Sequence, residues 1–209
     1  MYTPKSFEVA DREKIATFIR ENGFGTLYSN IAGESEATHQ PFVIENFSEN
    51  KMTLLCHFAR ANGQWKSIHG QKVLVTFLGP HAYISASWYE DPNTVPTWNY
   101  AAVHVEGIVE ILEDESSLIE ILKKTVNHFE GRDTAWSYTP DSDFIKGMHK
   151  AIVGARIVST KIQGKWKLSQ NHSLERKQKV IAQLSKSEHS DQKKIAKMMS
   201  EEIKSKPGI

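Results

Sequence analysis

The segment "CHFARANGQWK", Cys56–Lys66, concentrates residue types that could hold an anion. His57 stands at the end of an apolar run, and Arg60 and Asn62 follow it. A short helical turn with Gln64, Trp65 and Lys66 is predicted next. Cationic side chains beside fresh backbone N–H groups at a turn form an anion site, and phosphate is its commonest occupant. Exposed loop charges of no function are the competing reading of Arg60 and Lys66.

Three further places carry candidate groups. "ATHQP" puts Thr38 and His39 on a neighbouring strand, where a histidine is often only a structural residue. "GKWKLSQN", Gly164–Asn171, sets Trp166 between Lys165 and Lys167. At a period of two, both lysines share one face and the indole takes the other, so the expectation is two cations on an open face over a buried anchor. The competing reading is a strand with snorkelling lysines. "SWYEDPNTVPTWNY" crowds Trp88, Tyr89, Trp98 and Tyr100 around Pro92 and Pro96. The prolines stiffen this link, and its rings suit a subunit contact, a wall of a flat ligand site, or a cap on the protein's own core. Trp98 and Tyr100 share a parity, so one could pack inward with Asn99 turned to a groove.

Several chemistries lack their signature. His39, His57, His69, His81 and His104 lie near strands, but none has a recognised metal-ligand spacing. No GxSxG elbow, GxGxxG loop or GxxxxGK[ST] loop occurs. Cys56 is the single cysteine, inside "MTLLCHF", which predicts a buried inert thiol and excludes an internal disulfide.

The elements that must position these groups are legible in outline. Ile15, Phe18 and Ile19 follow Asp11 at helical spacing, and Gly23 marks the end of that helix. Strand-like runs begin at Phe24, Ala37, Lys51, Lys72, Ala82 and Asn99, separated by turn formers such as "AGES" and "LGPH". Six strands in so short a span predict an antiparallel sheet that curls into a barrel. Leu118, Ile121, Leu122, Val126 and Phe129 predict a second helix, Ser142 to Ala151 a third, and "AIVGARIVSTKIQGKWKL" one more long strand. The fold class is therefore mainly β with flanking helices, α+β, with one domain over 1–171.

The remainder, 172–209, differs in character. It has nine Lys or Arg against five Asp or Glu, with helical stripes at Val180, Ile181, Leu184 and at Ile195, Met198, Met199, Ile203. It reads as a charged helical tail with frayed last turns. The whole chain of 209 residues carries a formal charge of +1, so no global basic field argues for nucleic acid. No signal-peptide profile opens it, and no apolar run nears the roughly 20 residues that cross a bilayer. A soluble cytoplasmic protein with no membrane partner is expected.

With "MYTPKSF", "ATHQPF", "CHFARANGQWK", "GPHAYISASWY", "VPTWNYAAVHVEG", "AIVGARI" and "GKWKLSQN" in order, the chain resembles the PaiB family from Met1 to about Asn171. Cys56, where that family usually has glycine, and Gly63, where it usually has proline, depart from the pattern. The resemblance implies an FMN-binding split β-barrel, similar to pyridoxamine-phosphate oxidase, and a homodimer with the flavin in a groove between subunits. It implies a negative regulator of protease production and sporulation. It also implies FMN as cofactor, with Arg60, Asn62 and Lys66 at the flavin phosphate, His57 at the strand end, and Thr38 and His39 approaching from the side. Trp98, Asn99, Lys165 and Lys167 complete the expected cofactor-binding set.

Two other readings stand beside this one. The same scaffold could serve a flavin- or haem-dependent oxidoreductase. A DNA-binding repressor is the other, and it would have to use the C-terminal helices or a dimer surface, because no recognition-helix signature is present.

Overall fold

The computed structural model describes residues 1–48, 51–130 and 136–205. Among the described residues eight strands are present: β1 (Glu8–Val9), β2 (Phe24–Ile31), β3 (Glu34–Pro41), β4 (Val43–Phe47), β5 (Met52–Ala59), β6 (Lys72–Ile84), β7 (Thr97–Leu112) and β8 (Ile152–Lys167). Five helices accompany them: α1 (Arg12–Glu21), α2 (Glu115–Phe129), α3 (Asp143–His149), α4 (Leu174–Lys186) and α5 (Ser190–Ser205). The sheet runs β3-β2-β6-β7-β8-β5-β4, with β1 added on β8, and its hydrogen-bonded path does not close on itself. The barrel expected from strand count is thus open between its end strands β3 and β4. The residues after Ser205, which include the end of the tail where frayed turns are expected, lie outside the described residues.

The expected strand from Ala37 is two strands. The chain turns at Phe42, whose backbone N–H bonds the Gly23 carbonyl at 2.8 Å instead of a ladder partner. Conversely, the runs at Lys72 and Ala82 are one strand, β6, with "LGPH" inside it. Pro80 lies beyond the pairing of β6 with β2 at Leu74, Val75 and Thr76, so it removes no bond from that ladder. Ala32 and Gly33 both have positive φ between β2 and β3, the conformation a two-residue hairpin needs to match strand twist.

The chain divides into two compact units. One comprises Arg12–Phe77 and His104–Ile162. Here α1 buries Ile15, Ala16, Phe18 and Ile19, the stripe that spacing predicts. On β5 nearly every residue from Met52 to Phe58 is buried, including Cys56, as expected of an apolar run covered on both faces. Burial pushes the Cys56 thiol well above its ordinary pKa, so it stays protonated and unreactive. β5 and β8 pair antiparallel, Cys56 opposite Ala155 and His57 opposite Gly154. At Gly107 on β7 a side chain would stand 2.7 Å from the Val158 carbonyl oxygen, so close strand approach explains this glycine. Asp114 caps α2 by accepting from the Ser117 N–H at 2.8 Å.

The other unit comprises Met1–Asp11, Leu78–Val103 and Gln163–Ile209. β1 pairs with β8 at Lys165 and Gly164. Here α4 packs on α5 and on the 3-10 turn Ala86–Tyr89. Buried Val180, Leu184, Ile195, Ala196 and Met199 belong to those two helices. No helix among the described residues is long and apolar enough to cross a membrane.

Candidate functional site

In the first unit the end of β5 leads into the 3-10 turn Gly63–Lys66, as the sequence predicts. Asn62 caps it, its side-chain oxygen accepting from the Gln64 N–H at 3.0 Å. The same Asn62 donates through Nδ2 to Thr38 Oγ1 at 2.8 Å, and Thr38 donates to Gln64 Oε1 at 2.6 Å. Gln64 is buried and donates onward to Ser29 Oγ at 2.9 Å. Four polar side chains from β2, β3 and the turn thus fix the corner, and this network sets the turn's geometry.

Around that corner the cations behave differently. Arg60 is engaged: Nε donates to the Lys150 carbonyl at 3.1 Å, one terminal nitrogen to the Ile152 carbonyl at 3.3 Å, and the other to Glu113 at 3.2 Å. Lys66 has no hydrogen-bond or ion-pair partner among the described residues. Its ammonium lies 5.8 Å from the centre of the Trp65 ring, and the Arg60 guanidinium lies 5.7 Å from the same ring. Trp65 is anchored by its indole N–H to the Arg60 carbonyl at 3.1 Å. One indole therefore brings the two candidate cations to a common centre.

Thr38 and His39 are not brought together, because consecutive strand residues face opposite ways. Thr38 enters the polar corner, whereas exposed His39 pairs across the ladder with Thr26 Oγ1 at 2.8 Å. His57 is half-buried, and its Nδ1, which is out of solvent, has no partner among the described residues. Burial pushes its imidazole below the ordinary range, so the ring is neutral near neutral pH. At Gly63 the preceding Asn62 is extended and the space where a Cβ would stand is open, so a side chain or a proline ring would fit there. Sequence gave no signal for Gln64 or Ser29, which are central to the network. A buried polar residue can be found only when its partners are known.

In the second unit the expected open face of two lysines is a correction. Lys165 is buried, 8% exposed, with its ammonium donating to the Tyr2 carbonyl at 3.1 Å and lying 5.2 Å from the Tyr100 ring centre. Strand parity was right, but β1 brings the N-terminus back beside β8 and Tyr2 covers this lysine. Lys167 donates to Thr97 Oγ1 and to the Trp98 carbonyl, the latter at 2.6 Å. Burial, with the nearby Lys165 charge, holds the Lys167 ammonium below its ordinary pKa.

Trp98 does not pack inward, whereas Asn99 faces the interior, where it walls a cavity. Asn99 is fully buried and donates to Ser169 Oγ at 2.9 Å, while Trp98 is 53% exposed. A buried amide with a ready partner holds the inside position. Trp98 instead joins Tyr83 and His81 in an outer aromatic group, with ring centres 6.0 and 5.9 Å away. Tyr89 is the inward ring of this segment and stacks on His172 at 5.1 Å. A cavity of about 380 Å3 in this unit is walled by Thr97, Asn99, Lys167, Ser169, His172 and Arg176, among others.

Residues 1–161 match the family described as "Putative FMN-binding domain". The chain is 38% identical over 206 residues, 98% of this chain and 99% of the relative, to "Protease synthase and sporulation protein PAI 2" of Bacillus subtilis. Among solved structures, the FAD and haem binding protein of Mycobacterium smegmatis superposes with a TM-score of 0.60 at 11% identity, over 81% of this chain and 78% of that one. The flavocytochrome Anf3 of Azotobacter vinelandii gives 0.55 at 14% identity, over 77% and 69%. At such identities these two likenesses speak for the fold alone. A mainly antiparallel sheet with flanking helices, the PaiB-like order of its motifs and the family match agree, and the chain belongs to the FMN-binding domain family that includes PaiB.

Proposed function

We propose that the protein binds FMN, with the flavin phosphate at the corner made by Thr38, Asn62 and the turn Gly63–Lys66, and that it acts as a homodimeric negative regulator of protease production and sporulation. The observation that carries the phosphate assignment is Lys66. It is an exposed cation without an ion-pair partner, beside a turn already fixed by four hydrogen-bonded side chains. That donor set fits an oxyanion: the ammonium supplies charge, the turn supplies rigidity, and the unpaired Nδ1 of His57 is a neutral polar group nearby in sequence. Arg60 holds the turn against β8 and Glu113, and any share it takes in the anion comes from its remaining N–H groups.

Bound FMN would supply electron and hydride acceptance, and the residues of this corner would only hold and orient it. The regulatory part of the proposal leans on likeness to the Bacillus relative, named for protease and sporulation, and the dimeric part on exposed rings. Phe24 and Tyr28, at 67% and 43% exposure, stand on one face of β2, an apolar surface suited to a second copy.

Flavin titration tests the assignment. Lys66→Ala is expected to weaken FMN binding by roughly 10- to 150-fold, the worth of one charge-assisted contact, without changing the melting temperature. A protein that takes up no FMN, or an unchanged affinity in this variant, overturns it. For the regulator, a promoter fragment should shift with an affinity that falls steeply as salt rises, and the shifting species should sediment as a dimer. Bleaching of bound flavin by a pyridine nucleotide with no promoter shift would favour the oxidoreductase instead.

A further inference from the structure

A second group of residues in the first unit, centred on His149 and bordered by Arg60 and Glu113, is built for a ligand. His149, the last residue of α3, is buried at 5% exposure. Its Nε2 is held by the Tyr138 hydroxyl at 2.7 Å. Its Nδ1 is buried and has no hydrogen-bond partner. The nearest carboxylate, Glu115, is 3.9 Å away, beyond hydrogen-bond reach. A phenol is a better hydrogen-bond donor than a neutral imidazole N–H, so the assigned arrangement has the Tyr138 hydroxyl donating to Nε2 and the imidazole carrying its hydrogen on Nδ1. A buried N–H without an acceptor costs about 1 to 3 kcal/mol, which is an incentive for an acceptor to bind.

The same imidazole lines a cavity of about 340 Å3 with Arg60, Glu113, Glu115, Leu118, Lys146 and Lys150. Three cations face two carboxylates there, and one pair, Arg60 with Glu113, is already closed at 3.2 Å. Glu115 is then left against two ammonium groups, Lys146 and Lys150, neither of which has an ion-pair partner among the described residues. The balance at the cavity is positive, and its one orphaned buried atom is a donor. A cation would meet both the ammonium groups and the N–H unfavourably, whereas an oxyanion satisfies all three.

We propose that this cavity is a second ligand site, which takes a small oxyanion, a carboxylate or a phosphate group, on His149 Nδ1, Lys146 and Lys150. Tyr138 acts as a positioning residue, since it touches only the far nitrogen and fixes the ring's tautomer and direction. The site does not depend on flavin binding, and Lys66 takes no part in it.

Calorimetric titration of the full-length protein with inorganic phosphate and, separately, with acetate tests this at constant ionic strength, with and without FMN. Saturable one-to-one binding of either anion is expected, and which one binds tells the two sources apart. Lys146→Met with Lys150→Met should weaken it by about tenfold or more. His149→Phe, which keeps a planar ring and removes both nitrogens, should abolish it. The lysine pair is exposed and leaves the core intact, so it reports even if the His149 variant does not fold. Absence of saturable binding for both anions overturns the site. So does binding that the lysine substitutions leave unchanged, or binding that FMN competes away.

Discussion

Deletion of residues 172–209 is expected to unfold the unit that contains Leu78–Val103, not merely to trim a loose end. Val180, Leu184, Ile195 and Met199 are each no more than 1% exposed. Burial of such side chains contributes about 1.5 to 3 kcal/mol apiece. Together they reach the order of a whole domain's stability, roughly 5 to 15 kcal/mol. Deletion also strips partners from groups that stay behind. Tyr89 loses the ring of His172, buried Asn99 loses its contact with Met199 at 3.5 Å, and Asp91 and Glu90 lose Arg176 and Lys179. Near-ultraviolet circular dichroism and a thermal melt read the outcome, since Trp88, Tyr89 and Trp98 all lie in this unit. A truncated protein with an unchanged melt and aromatic signal would show that α4 and α5 are dispensable packing. The deletion would then be a clean test of where any DNA contact resides.

The second large effect centres on Glu45. Its carboxylate, 9% exposed, receives Arg156 at 3.0 Å and Lys124 at 3.3 Å, while Arg156 also holds Glu110 at 2.9 Å. Burial pushes the Glu45 carboxyl up, but the hydrogen bonds and charges of Arg156 and Lys124 outweigh it, and the net pKa lies below the ordinary value. Removing one partner of a buried pair leaves the other charge uncompensated, so Arg156→Leu should cost about 3 kcal/mol, the lower end for such pairs because Arg156 is partly exposed. The sign of the pH dependence follows. With a folded-state pKa below the unfolded one, the native protein binds fewer protons there. The stabilisation is therefore complete above 4.5, the ordinary value for this carboxyl, and is lost as pH falls through the lower folded value. Urea midpoints from neutral pH down to about 3 should fall along this limb, and Glu45→Gln should make it shallower, with Glu90, Asp91, Glu106 and Asp114 keeping their shares. A cost below about 1 kcal/mol for Arg156→Leu, the range of surface pairs, would sink the idea.

The polar corner and the Glu45 pair illustrate different limits of reading a sequence. The turn after β5 was legible because Asn62 and the residues behind it form a local signal: a capping side chain, a glycine and a short helical period. The buried face of α1 was legible for the same reason, its spacing being set by one helix. Gln64 joins a strand 26 residues earlier through Thr38, and Glu45 meets Arg156 at a separation of 111, so neither partner is visible locally. Lys165 and Asn99 show the subtler case. Parity gave each a face, but whether that face was open depended on Tyr2, Ser169 and Met199, which arrive from the two ends of the chain.

By itself the sequence determined what short-range physics controls. Helical stripes, most strands, the turn at Gly63–Lys66, the inert buried Cys56 and the family motifs follow from period, capping and residue type within a few positions. Only the tertiary structure decided which cations remain free. It tied Arg60 to carbonyls of Lys150 and Ile152, covered Lys165, and left Lys66, Lys146 and Lys150 available. Charge is a property of a residue, but the partner that satisfies it arrives from elsewhere in the chain.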